Sequence, residues 1–193
     1  MIEGITNKIL AYLRSQNQLS DNPTEVSVYK YGIEITLSSL LNFILIVSIG
    51  IITGNFFESL LFLLCFVPLR QYTGGYHANT YFKCNLYFCV CFAILLAIYT
   101  LTKASCSALC VTGINLFSVL SIGYFCPIEN KNKKVADKDK KKFKIIAVII
   151  SSVVSIVSII LTIFNVEYGI LISYTVLLVV VLIYIAVLRE RRK

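Results

Sequence analysis

Apolar residues in this chain neither alternate nor recur in narrow stripes; they run together. Five uncharged stretches stand between short polar breaks: Ile35–Phe57, Asn85–Thr102, Ala104–Ile128, Ile145–Asn165 and Tyr168–Leu188. A helix needs about 20 apolar residues, within a range of about 17–25, to cross a bilayer, so each stretch predicts a spanning helix. A sixth run, Ser59–Leu69, is cut short by Arg70. Extended back through Phe56, it predicts a short second span or a segment that dips into the membrane and returns. Irregular backbone at that depth is tolerated only where protein buries it or it lines a wet cavity. Ahead of the runs, Ile2, Ile5, Ile9 and Leu13 fall near one helical face. That pattern predicts an amphipathic helix at the membrane surface, or one packed on the bundle. The expected fold is all-α: a polytopic membrane bundle of about six spanning helices, the second short or re-entrant. An N-terminal interfacial helix precedes it, and a single membrane-embedded domain covers residues 1–193.

Composition sharpens this picture. The chain is 58% hydrophobic and 15% charged, whereas a soluble domain is about a quarter charged. Its amino terminus is mixed in charge, with no apolar core or small-residue cleavage site, so no removable signal peptide is expected. With six spans, every Lys and Arg except Lys103 falls on one side. Positive loops stay in the cytoplasm, so both termini are expected there, in a multi-pass protein of the cell membrane. The same placement accounts for most of the net charge of +8. No basic surface is interleaved with aromatics, and nucleic-acid binding is set aside. The lysine-rich stretch Glu129–Lys144 reads as a topology determinant that binds anionic lipid headgroups.

Seven cysteines, an odd number and mostly within the runs, argue against a disulfide framework. Apart from Cys84 they read as small hydrophobes. A zinc site from His77, Cys84, Cys89 and Cys91 is disfavoured, because residues two apart on a helix face different directions. No metal and no cofactor is expected.

The remaining chemistry gathers in "RQYTGGYHANTYFKC", Arg70–Cys84, which holds the only histidine of the chain. A thiolate is the competent nucleophile, and a nearby histidine is the usual means of generating one. On an unbroken helix, seven residues separate His77 from Cys84 by about 10 Å along the axis, too far for proton transfer. The segment is therefore expected to turn at Gly74-Gly75, which accept backbone angles other residues refuse. It should then enter a helix with Cys84 near its start, facing the positive end of the peptide dipoles. Arg70 reads as a snorkelling residue at a helix end, or as a clamp for a carboxylate or developing negative charge. Glu34, at the start of the first run, is placed to orient His77 or to pair with Arg70 or Lys30. Gly74 and Gly75 shape the loop, and a backbone N–H there would help to form an oxyanion hole. A transporter or channel with Arg70 and His77 along its pathway is the competing class, but the long runs are nearly empty of charge and show no broken half-repeats. A noncatalytic scaffold leaves the cluster unexplained.

Arg70, Gly74-Gly75-Tyr76-His77-Ala78 and Cys84 together resemble the signature of the accessory gene regulator protein B family. "KYGIE" (Lys30–Glu34) resembles the start of that family's first span. "CPIENKNKK" (Cys126–Lys134) resembles its element after the fourth, except that Lys134 follows Asn132-Lys133 where the family has proline. The resemblance implies a membrane cysteine endopeptidase that matures a quorum-sensing propeptide. His77 would be the base and Cys84 the nucleophile, with support from Arg70, Gly74, Gly75, Glu34 and Lys133 on the cytoplasmic side. It implies a thioester on Cys84 that an internal thiol or hydroxyl opens to a thiolactone or lactone. Its expected partners are the propeptide, whose acidic tail the lysine-rich stretch would attract, and a second copy in a homodimer.

Overall fold

The structure is a computed structural model and describes residues 2–16, 18–19, 22–74, 81–128 and 137–191. These residues form helices α1 (Ile2–Ser15), α2 (Pro23–Ile52), α3 (Phe56–Thr73), α4 (Tyr81–Thr102), α5 (Ala108–Phe125), α6 (Asp137–Ile163) and α7 (Tyr168–Arg191). No strand occurs among them, only an isolated bridge between Gly74 and Ile128. Helices α2, α4, α5, α6 and α7 are each long and apolar enough to cross a membrane, so the chain is a multi-pass helical membrane protein.

Helix α2 starts well before the apolar run, where Pro23 occupies the first turn and Asn22 Oδ1 accepts the Thr24 N–H at 3.0 Å. A proline at that position loses no helical hydrogen bond, since its N–H would be unpaired anyway. The run Ile35–Phe57 is not one span. The chain turns inside it at Thr53-Gly54-Asn55, where the Asn55 N–H reaches back to the Gly50 carbonyl at 2.7 Å. Phe56 and Phe57 therefore begin α3, which continues unbroken through Pro68 to Thr73. The segment around Ser59–Leu69 is thus a helix and not a dip and return.

The centre of the bundle is α7, which packs on α3, α4, α5 and α6 and buries Leu171, Val176, Val179 and Ile183. Between α3 and α4, Phe62 and Phe66 meet Phe88 and Phe92 with ring centroids 4.8 to 5.7 Å apart. Lipid tails are as apolar as leucine, so helices in a bilayer associate through close packing and interhelical hydrogen bonds. The interior supplies both. Asn115 Nδ2 donates to Ser158 Oγ at 3.1 Å, and Ser158 Oγ donates to the Gly169 carbonyl at 2.6 Å, tying α5, α6 and α7. Gly169 is needed there because a Cβ would lie 2.5 Å from the Ser158 carbonyl oxygen. Outward faces carry Leu101, Leu109, Phe117 and Ile149, all exposed and suited to lipid.

One end of the bundle gathers the starts of α2, α4 and α6 with the ends of α3 and α5. There α1 lies against α2, and Lys30 Nζ pairs with Glu3 at 3.3 Å. At the opposite end Lys103 Nζ binds Glu167 at 2.6 Å, and the Thr102 and Tyr174 hydroxyls meet at 2.8 Å.

Candidate active site

Cys84 is the fourth residue of α4 and is half-buried at the end where α3 finishes. Arg70 sits in the last turn of α3. Its guanidinium donates to the Gly74 carbonyl, and the thiols of Cys84, Cys126 and Cys91 lie within its electrostatic reach, Cys84 exerting the largest effect of the three. A guanidinium is a permanent cation with donors in a rigid fork, suited to a carboxylate or to charge that develops on an oxygen. Arg70 and Cys84 thus lie at the same end of the bundle, within electrostatic reach of each other. His77, Gly75 and Lys133 lie outside the described residues.

What holds Arg70 in place comes from far along the chain. The Ile128 N–H donates to the Thr73 carbonyl at 3.0 Å, and Gly74 bridges to Ile128 in parallel register. Gly74 has φ of +70° and ψ of −149°, and a Cβ on it would stand 2.2 Å from the Ile128 carbonyl oxygen. Both the backbone angle and the close approach require glycine. Gly74 thus shapes this junction through its backbone, and Ile128 touches the end of α3 directly.

On the other side of Cys84, the Ser38 hydroxyl donates to Asn85 Oδ1 at 2.8 Å, with both residues buried. This bond fixes the first turn of α4 against α2. Glu34 is one turn before Ser38, toward the end where α4 begins. Its carboxylate lies 4.0 Å from Lys30 Nζ, and its side chain is 13% exposed. Tyr72 of α3 meets Phe143 of α6 with ring centroids 5.6 Å apart, so the exposed Lys141, Lys142 and Lys144 belong to the same end as Arg70.

Sequence reasoning missed Ser38, Asn85 and Ile128 as parts of this junction, whereas Cys126 is buried in the apolar core as expected. Ser38 and Asn85 did leave a signal, as hydrogen-bonding side chains in apolar runs, where an unsatisfied polar group is costly. Ile128 left none, because its role rests on backbone atoms.

Known proteins bear on this geometry. Residues 6–184 match the accessory gene regulator B family. A Clostridium perfringens (strain SM101 / Type A) protein named as AgrB-like is 26% identical over 147 residues, 74% of this chain and 68% of that one. A Listeria monocytogenes serotype 4a protein of the same name is 24% identical over 138 residues, 72% of this chain and 67% of its own. No solved structure matches.

Proposed function

From the premise that the chain belongs to the accessory gene regulator B family, and so takes part in processing quorum-sensing peptides, we propose that it is a cysteine endopeptidase acting on a membrane-bound propeptide. The observation that carries this reading is the placement of Arg70 and Cys84 at one end of the bundle within electrostatic reach of each other, with Cys84 in the first turn of α4. In the proposed reaction His77 takes the proton of Cys84, and the sulfur attacks a peptide carbonyl of the precursor. The C–N bond breaks, the carboxy-terminal tail leaves as an amine carrying that proton, and the amino-terminal part stays on Cys84 as a thioester. A thiol or hydroxyl within that part then attacks the thioester carbonyl, closes a thiolactone or lactone ring and returns the Cys84 thiol.

The route through a thioester makes sense at a membrane edge. Exchanging one thioester for another is nearly balanced in free energy, whereas hydrolysis would waste the activation, and an apolar site excludes the competing water. Arg70 is suited to a substrate carboxylate or to the developing oxyanion. The exposed lysines at the start of α6 supply a positive field for an acidic tail and for anionic lipid. By the positive-inside rule this end, and both termini, face the cytoplasm.

The deciding experiment incubates the purified protein, in lipid, with the precursor peptide encoded beside its gene, and follows intact mass. Wild type should release the tail and carry an acyl adduct. Cys84→Ala should do neither, while Cys84→Ala that still releases the tail removes Cys84 as nucleophile.

A further inference from the structure

The end of the bundle away from Arg70 carries its own pair of thiols. Cys106 immediately precedes Ser107, the N-cap of α5, and Cys110 lies in the first turn of that helix. Ser107 has extended backbone angles, and its Oγ accepts the Cys110 N–H at 3.3 Å. This cap folds the chain back, so that the residue before the cap stands over the first turn. The two side chains are consequently close enough to interact with each other, and Cys106 also reaches the Tyr174 hydroxyl that binds Thr102. Both thiols are free. Cys110 is exposed and Cys106 half-buried, whereas Cys65 and Cys126 are buried in the core.

This end is the side that holds Lys103, and the charge asymmetry of the chain turns it outward from the cytoplasm. Disulfides persist in that compartment and are rare in the cytosol. We propose that Cys106 and Cys110 are a redox pair on the outer face, closed to an intramolecular disulfide by exchange with a small-molecule disulfide outside the cell. The proposal rests on the inside–outside assignment and not on the proteolytic reading of Cys84.

The exchange has two steps. The exposed Cys110 thiolate attacks one sulfur of the external disulfide, forms a mixed disulfide and releases one thiolate. Cys106 then loses its proton and attacks the Cys110 sulfur, expelling the second thiolate. Two protein thiols thereby give two electrons to the external disulfide, which leaves as two thiols. The order follows from the setting: burial raises the Cys106 thiol above its ordinary value, and access favours Cys110 in the first attack. Closing the bond clips the turn between α4 and α5 to the first helical turn of α5. It does so beside the contacts of Thr102 with Tyr174 and Lys103 with Glu167, where α4 meets α7. The clip thus acts on how α4, α5 and α7 sit together at the outer end.

The test uses the full chain in sealed membrane vesicles of known sidedness. A membrane-impermeant small disulfide is added to one face and removed, the protein is unfolded in denaturant, free thiols are blocked with a maleimide, and the tryptic peptide 104–131 is weighed. Oxidant on the outer face should leave that peptide with one maleimide, on Cys126, and about 2 Da lighter for the bond formed. Cys106→Ser should stop at the mixed disulfide on Cys110, and dithiothreitol should restore both thiols. If Cys106 and Cys110 both take up maleimide after outer-face oxidation, the pairing is wrong. If the bond forms only with oxidant on the opposite face, the outward placement is wrong and the proposal falls with it. Tail release by Cys84 is read in a separate assay, so failure of either idea is distinguishable.

Discussion

Gly74→Ala puts the most weight on the smallest change. The variant asks an L-residue to hold φ of +70° and ψ of −149°, close to a region almost restricted to glycine, at a cost of about 1–3 kcal/mol. It also sets a methyl carbon 2.2 Å from the Ile128 carbonyl oxygen, an overlap with backbone that no rotamer relieves. The Ile128 N–H must let go of Thr73 for the junction to open, and that cost of about 0.5–1.5 kcal/mol is the same in wild type and variant. The strain alone therefore shifts the balance toward the open junction, by about 1–3 kcal/mol. Cys126 reports on this directly, because it is 4% exposed when the junction is closed. At about 1.4 kcal/mol per tenfold, its alkylation by a maleimide under native conditions should quicken roughly 5- to 150-fold, up to the rate of a free thiol. Cys65, in the middle of α3 and 8% exposed, should stay protected and so report that the bundle is intact. Peptide mass spectrometry over a labelling time course reads both in one sample. Cys126 labelling at the wild-type rate, with Cys65 protected, would refute the account of Gly74 as a backbone hinge for Ile128. The same variant should lose most propeptide cleavage, since the Gly74 carbonyl is what Arg70 holds.

Other perturbations follow from the same geometry. Arg70→Lys keeps the charge but loses the fork, and a charged hydrogen bond of about 1.5–3 kcal/mol goes with it; cleavage should fall roughly 10- to 100-fold with the melting temperature little changed, and undiminished cleavage would remove Arg70 from the site. Gly169→Ala drives a Cβ to 2.5 Å from the Ser158 carbonyl oxygen and 2.7 Å from the Thr162 nitrogen, so thermal unfolding in detergent should show a loss of about 1–3 kcal/mol. Ser158→Ala, which removes interhelical hydrogen bonds, should cost only about 0.6 kcal/mol; equal losses for the two variants would contradict the packing argument. At the end away from Arg70, the side-chain hydrogen bond to Glu167 raises the Lys103 ammonium above its ordinary value. Its stabilisation is fully present below the unfolded lysine value of about 10.4 and is lost as pH rises through the higher folded value. The wild-type melting temperature should therefore fall more steeply than that of Lys103→Met across that window, and parallel curves would dismiss the pair.

What the sequence disclosed and what it hid divide along a physical line. Spanning helices are legible because a bilayer demands long uncharged runs, and α4, α5, α6 and α7 lie where four of those runs do. The turn after Ile52 was hidden because Thr53, Gly54 and Asn55 carry no charge, so hydropathy reads straight through a chain reversal. The start of α2 was hidden for the opposite reason. Residues 23–34 mix Glu25, Lys30 and Glu34 with Val26, Val28 and Ile33, so they form no uncharged run, and only the Asn22-Pro23 cap announces their helix. At the candidate site, Cys84 and Arg70 were legible because reactive and charged side chains are conspicuous in an apolar chain. Their support was not, since the Thr73, Gly74 and Ile128 contacts are made by backbone atoms, which every residue possesses. The same distinction explains why "CPIEN" stood out only by resemblance. Its Ile128 acts through an N–H and a carbonyl, and its neighbour Cys126 through burial within reach of Arg70. The chain just after α5 is thereby tied through Ile128 to the end of α3, at the Gly74 whose carbonyl Arg70 holds.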